Sequence, residues 1–454
     1  MAELTRTDLP RSVRWGYGGG EWANAVMWTA LSALFLYYLT DVVGVDPAFG
    51  GTLLLIGTLW NTVLQPYVGL RSDRHRSPHG RRRPFLLAAA LPYGLSSWLL
   101  FTDPGFTGAA RTVYYTVVVL AWYTSFTVFY IPYSALGAEL SGDHEERTRL
   151  SSVRTAASQL GAMVGAVAPL VLHDPLAGLL GLGEKAGWSA AAAVCALLSV
   201  AGLLLTWRTA RGHEGAVAEP ASPGWRDTVG MLRTRDVRLM LGMLAFGWVP
   251  LSVTGTVSVY FGVHIMGYSE QTASLEMLCW FVAGLAWLPV VYRCCHRYGK
   301  NRTFVLFTAT WAIVQALLLI PERGDDTLFW ALILLSSAGS MAVAVVGWSM
   351  LADLTDVEQL RTGERREGAL NGLSAFAQTG LAAVVVWLAS LALSAAGYDG
   401  DGAPGATASL VIRLLMSVGT ALWLIPAVIC CLRYPVTRER HEAVLRELRG
   451  LRDH

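Results

Sequence analysis

The chain has 454 residues, of which 54% are hydrophobic and only 15% charged, with a net charge of +2 and a mean hydropathy of +0.44. Soluble proteins carry about 25% charged residues, whereas here apolar runs of 18 or more residues, each long enough to cross a bilayer as a helix, recur from end to end. That composition excludes a soluble enzyme, a secreted disulfide scaffold and a disordered chain, gives no reason to expect a nucleic-acid partner, and argues against a transmembrane β-barrel because the runs are continuous rather than alternating.

In chain order, a polar N-terminal stretch without a signal-peptide apolar core leads through Gly16, Gly18, Gly19 and Gly20 into the first run. No strand precedes these glycines and no Lys-Ser/Thr follows, so they are expected to form a flexible hinge rather than a phosphate loop. Twelve apolar runs follow, at roughly 22–44, 49–70, 84–102, 110–137, 150–173, 186–207, 238–267, 272–293, 303–320, 327–352, 367–396 and 408–432, with ends good to a few residues. Seven carry an internal proline: Pro66, Pro92, Pro132, Pro169, Pro250, Pro289 and Pro426. Membrane helices tolerate these as kinks, for packing or for motion. Gly161 and Gly165 form a G-x-x-x-G that predicts close helix packing. The one long polar stretch is 208–237, so the expected organisation is a six-helix bundle over 1–207, a cytoplasmic linker over 208–237, a second bundle over 238–432 and a tail over 433–454.

Basic residues gather in cytoplasmic loops. With the N-terminus inside, 31 of the 35 Lys and Arg fall on the cytoplasmic side and four, Arg111, Lys185, Arg323 and Arg413, on the other. Both termini are therefore expected in the cytoplasm and the chain in the cytoplasmic (inner) membrane. The two halves also echo each other. Gly80-Arg81-Arg82-Arg83 after the second run matches Gly299-Lys300-Asn301-Arg302 after the eighth, and Ala138-Glu139-Leu140 matches Ala352-Asp353-Leu354. A duplicated six-helix unit predicts an all-α polytopic membrane protein with 12 transmembrane helices in two pseudo-symmetric six-helix bundles, the architecture of the major facilitator transporters.

Cys195, Cys279, Cys294, Cys295, Cys430 and Cys431 lie in or at the ends of apolar runs, with no C-x-x-C pair or nearby His cluster, so they are expected as small apolar fillers with no metal and no cofactor. Ionisable residues inside a membrane are costly and mark function by default. Glu21, Asp41, His264 and Glu276 are the candidates, the rim positions Asp41 and His264 reading more simply as solvated.

Several stretches carry a family resemblance. They are Tyr17-Gly18-Gly19-Gly20-Glu21-Trp22-Ala23-Asn24, Tyr37 to Val42, Gln65-Pro66-Tyr67-Val68-Gly69 to Phe85, Ile131-Pro132-Tyr133-Ser134-Ala135-Leu136 to Arg154, and Ala352-Asp353-Leu354-Thr355-Asp356 to Gln378. Together they resemble the glycoside–pentoside–hexuronide:cation symporter family, of which the melibiose permease is the best-known member. The resemblance implies twelve helices, a central sugar site, and symport with sodium or protons. It also implies where the cation-site acids would stand, and this chain has Ala25, Asn61, Gln65 and Tyr130 there, with Thr379 in place of the lysine of the eleventh helix.

Amides and hydroxyls do not titrate near pH 7. Asn61 and Gln65, four apart, share a helix face. With Tyr130 and Gln378 they suit a neutral polyhydroxylated or amide-bearing solute, or else interhelical hydrogen bonding with no ligand. The expected solute site is Asn61, Gln65, Tyr130, Tyr133, Gln378 and Thr379, with Glu21 and Glu276 as proton-coupling candidates. Asp73, Arg74, Glu139, Arg147, Arg154, Asp353, Asp356, Arg361 and Arg365, at the inner ends of helices, read either as ion-pair latches of a cytoplasmic gate or as solvated positive-inside charge. The expected function is secondary transport of a small polar solute, sugar- or glycoside-like, by alternating access and without sodium. The alternatives are export of a secondary metabolite, an uncoupled facilitator and, remotely, a membrane enzyme. The expected partners are the solute, the lipid bilayer and protons. No Walker sequence points to ATP and no H-E-x-x-H to hydrolysis.

Overall fold

The computed structural model describes residues 9–75, 77, 80–140, 144–212, 228, 230–363, 366–400 and 404–450, the side chains of 138, 139, 144, 145, 147, 148, 449 and 450 excepted. The chain forms two compact units, Met1–Ala218 and Glu219–His454. The first contains α1 (Arg11–Val42), α2 (Pro47–Arg74), α3 (Arg83–Leu100), α4 (Gly108–Leu140), α5 (His144–Leu180) and α6 (Glu184–Thr209). The second contains α7 (Arg235–Met266), α8 (Glu270–Tyr298), α9 (Lys300–Leu317), α10 (Asp326–Thr362), α11 (Glu367–Ala395), α12 (Ala406–Arg433) and a shorter α13 (Arg438–Gly450).

A helix stands over each of the twelve apolar runs. Among the described residues, ten are long and apolar enough to cross a membrane. The other two, α3 and α9, have 18 residues each, a length of about 27 Å at 1.5 Å per residue. Local chemistry sets several ends. Asp46 caps α2 by accepting from the Ala48 amide at 2.8 Å, with Pro47 at the first helical position. Ser269 caps α8 by accepting from the Thr272 amide at 3.2 Å. Each of α1, α7 and α12 contains a π segment, Tyr38–Val42, Phe261–Met266 and Leu415–Gly419 respectively.

The two units share most of one packing plan, although the extensive α5–α6 contact of the first has only a slight α11–α12 counterpart in the second. In the first, α1 packs on α5 and α6, α3 on α4 and α6, and α2 on α4. In the second, α7 packs on α11 and α12, α9 on α10 and α12, and α8 on α10. Adding six to each label of the first set yields the second, as a duplicated six-helix unit requires. The core of the second unit runs through Met240, Leu244, Phe304, Trp311, Val343, Met350 and Leu424 down to Tyr434 and Val444, so α13 is seated on the bundle.

The glycine run is not a hinge. α1 begins at Arg11, and Gly16 to Gly20 are buried helical residues. Their role is close approach: a Cβ on Gly19 would stand 2.4 Å from the Gly202 carbonyl oxygen, and one on Gly202 would stand 2.6 Å from the Gly19 carbonyl oxygen. The α1 and α6 backbones therefore touch. At Gly165 a Cβ would lie 2.1 Å from the Val26 oxygen, which brings α5 equally close to α1. Backbone contact on two sides stabilises α1 as a helix through a stretch whose intrinsic propensity is poor.

Candidate functional site

Inside the first unit, α1, α4 and α5 bring five ionisable or phenolic groups together: Glu21, Tyr17, Tyr130, Tyr133 and Arg154. Glu21 on α1 is 5% exposed, and its two oxygens are both engaged. Oε2 accepts from Arg154 Nε on α5 at 2.6 Å, and Oε1 accepts from Asn24 Nδ2, one turn along α1, at 2.9 Å. Arg154 Nη2 donates to Tyr130 Oη on α4 at 3.1 Å, and its Cζ stands 5.9 Å from the centre of the Tyr133 ring. Tyr133 is fully buried, donates to the Tyr17 carbonyl at 3.0 Å and stacks on the Tyr17 ring with centroids 4.9 Å apart. Glu21 and Tyr133 thus hold the guanidinium in one orientation, while 35% of the Arg154 side chain stays accessible. A guanidinium has five N–H donors, so Arg154 retains donors for a further acceptor.

An aromatic strip adjoins this group. Tyr130 stacks on Phe126 at 5.2 Å and an interplanar angle of 15°, Phe126 lies 5.2 Å from Trp28, and Trp122 stacks on Phe126 at 5.4 Å. Trp28 and Tyr130 are half-buried. Charge-assisted donors beside aromatic faces can bind a polyhydroxylated molecule, whose hydroxyls take the hydrogen bonds and whose C–H faces take the rings.

Of the other expected solute-site residues, Asn61 is buried and its Oδ1 accepts from Thr127 on α4 at 2.7 Å, a link between α2 and α4. Gln65 lies one turn further along α2 and is half-buried. Gln378 and Thr379 are on α11, in the second unit. Gln378 is 2% exposed, and among the described residues neither its Nε2 nor the buried hydroxyl of Ser374, one turn before it, has a hydrogen-bond partner. Thr379 is half-buried and donates to the Ala375 carbonyl. Glu276 on α8 is 2% exposed; Ser258 on α7 donates to its Oε1 at 2.7 Å, and Oε2 has no hydrogen-bond partner among the described residues.

The expected gate residues disperse into local ties. Arg154 is taken by Glu21, as described. Asp73 at the end of α2 pairs with the buried Arg82 at 2.5 Å, and Arg74 is exposed. Asp353 on α10 binds Lys300 Nζ at 2.7 Å, and Asp356 binds His441 Nε2 of α13 at 3.1 Å. Arg361 pairs with Glu358 one turn earlier at 2.6 Å. The side chains of Glu139 and Arg147, and Arg365 altogether, lie outside the described residues. Sequence reasoning passed over Arg14, which pairs with the buried Glu146, and His441. It also placed Arg154 at a helix end, although an arginine within the 150–173 apolar run is itself the signal of an intramembrane charge with a partner.

The chain belongs to the MFS/sugar transport protein family, whose model matches residues 16–438. It is 26% identical over 442 residues to the inner membrane symporter YicJ of Escherichia coli, covering 95% of this chain and 94% of that protein. To the isoprimeverose transporter of Lactiplantibacillus pentosus it is 25% identical over 428 residues, covering 90% and 86% respectively. Among solved structures, a D-xylose-proton symporter superposes with a TM-score of 0.64 at 15% identity, over 91% of this chain and 96% of that one. The protein is a multi-pass membrane protein of the major facilitator fold and a secondary transporter of a small solute.

Proposed function

We propose that the chain carries a neutral sugar or short glycoside across the cytoplasmic membrane, and that Arg154, held by Glu21 and Tyr133, anchors its hydroxyls. The observation that carries this reading is the guanidinium fixed on one side by a buried carboxylate, flanked by Tyr130 and Tyr133, and still one-third accessible. Phe126, Tyr130 and Trp28 supply the apolar face for a sugar ring. In this reading Glu21 is the counter-charge of Arg154 rather than the proton carrier, and Asn61, tied to Thr127, positions α2 against α4. Gln65, one turn along α2 from Asn61, adds a half-buried amide in the same unit. The relatives support the solute class: one is named for isoprimeverose, and a protein of the same fold is named for D-xylose. Transport is not driven by sodium, because Ala25, Asn61, Gln65 and Tyr130 offer no carboxylate where the resemblance places the cation-site acids. Both termini lie in the cytoplasm, where Asp73–Arg82, Asp353–Lys300 and Asp356–His441 brace the inner helix ends.

The test is uptake of radiolabelled xylose and isoprimeverose into proteoliposomes under separate sodium and pH gradients. Flux of at least one sugar is expected without sodium. Arg154→Gln is expected to reduce it at least tenfold, since a lost charge-assisted hydrogen bond costs about 1.5–3 kcal/mol. Sodium-driven accumulation, or unchanged flux in Arg154→Gln, refutes the assignment.

A further inference from the structure

We propose that Glu276 is a proton-binding site in the second unit, built by α7 and α8 and separate from the Arg154 group. The inference deepens the transport reading by naming the coupling ion, and rests on it.

Glu276 is 2% exposed within the apolar stretch of α8. Among the described residues its side chain has one hydrogen bond, from Ser258 to Oε1 at 2.7 Å. Oε2 is buried with no partner. The ionisable groups around it have other partners or stand at helix ends. On α7, His264 Nε2 meets Tyr398 Oη at 2.7 Å. After α7, Tyr268 donates to Asp326, at the start of α10, at 2.7 Å. Glu270 lies in the first turn of α8, and Arg323, in the turn before α10, lies beside Gly267. α9 carries its ionisable residues, Lys300 and Arg302, in its first turn, next to the far end of α8. None of these forms an ion pair with Glu276. A bare carboxylate here would be a buried charge without a counter-ion, and a proton on Oε2 removes that charge. The site offers one carboxylate and one hydroxyl. A proton needs a single oxygen, whereas hard metal cations gather several.

The backbone beside the free oxygen is irregular. Residues Phe261–Met266 form a π segment, and such segments often mark functional positions in helices. Gly262 lies within it, and a Cβ there would stand 3.5 Å from Oε2 and 3.3 Å from the Ala273 Cβ. No side chain at position 262 stands between Oε2 and this part of α7, so the carboxyl faces the π segment.

Two readouts test this on the full-length protein. The first needs no solute. Infrared difference spectra of the purified protein, stepped from mildly acidic to alkaline buffer, are expected to show the carbonyl band of a protonated carboxyl that disappears at alkaline pH. The band should be absent in Glu276→Gln and shifted in Ser258→Ala, which keeps the acid and removes its donor. A band unchanged in both variants, a band that does not titrate, or one displaced by sodium at constant pH overturns the proposal. The second uses radiolabelled xylose and isoprimeverose in proteoliposomes. Glu276→Gln is expected to abolish accumulation driven by a pH gradient while retaining exchange of the same sugar at equal concentrations on both sides. Accumulation retained in Glu276→Gln overturns the proposal. If the parent exchanges neither sugar, the solute assignment has failed, and the infrared band still decides the proton site.

Discussion

Asn61 illustrates how little a polar residue's type reveals about its task. It occupies a position where the family resemblance implies an acid, yet its carbonyl oxygen is committed to Thr127 at 2.7 Å. Thr127 also donates toward the Tyr123 carbonyl at 2.6 Å, one turn back in its own helix, which is how a threonine in an apolar helix satisfies itself without announcing a partner. The bond between α2 and α4 is therefore shared rather than exclusive, and its value should be modest. A double-mutant cycle on Asn61→Ala and Thr127→Val, read as unfolding free energy in detergent, is expected to give a coupling of about 0.6 kcal/mol, the average for interhelical bonds in membranes. A coupling near zero would mean that Thr127 serves only its own helix. Glu21 and Arg154 should behave differently, because removing one partner leaves a buried charge. Arg154→Ala is expected to destabilise the first unit by about 3 kcal/mol, and Arg154→Lys should recover part of this, since an ammonium keeps the charge without the planar fork.

At the level of elements, the decisive contact is between two main chains. Gly19 and Gly202 face each other so closely that a single methyl group on either must push α1 away from α6. The Glu21–Arg154 pair stands half a turn further along α1, so displacement of that helix also displaces the anchor. Gly19→Leu is expected to lower both the thermal midpoint of the purified protein and sugar flux, whereas Gly372→Ala, at a position with nothing within 4 Å of the added carbon, should leave both unchanged. Equal stability of Gly19→Leu and parent would show that the helices separate without cost. The same contact explains why the run was misread from sequence. Glycines preceding an apolar segment are equally consistent with a loose entry and with a close-packed face, and only the partner helix, whose Gly202 lies 183 positions after Gly19, distinguishes them.

For the whole molecule, the orientation is tested by charge-impermeant maleimide on intact cells. Thr107→Cys should react from outside and Ser77→Cys only after permeabilisation; reaction of Ser77→Cys in intact cells would invert the topology. Twelve helices and the six-plus-six repeat were legible because length, hydropathy and matched loop motifs are local properties of the chain. The candidate site was legible only in its members. Periodicity places Glu21, Tyr130 and Tyr133 on helices but does not say that Arg154, 133 residues from Glu21, closes the group. α13 escaped notice for a related reason: a charged tail is ordinarily solvated, and its seating depends on Val444 and His441 meeting α10.

Among 35 basic residues only Lys185 and Lys300 carry an amine, and both amines are engaged, with Asp103 at 2.7 Å and with Asp353 at 2.7 Å. Acylating reagents attack a free, uncharged amine. Each lysine must first leave its carboxylate and shed a proton, so its modification rate follows how often that pair opens. Lys185 tethers the loop after α3 to the start of α6, and Lys300 ties the start of α9 to α10. The chain thus carries one intrinsic chemical clock in each unit, and an added solute that tightens or loosens a helix end will retard or speed one of them.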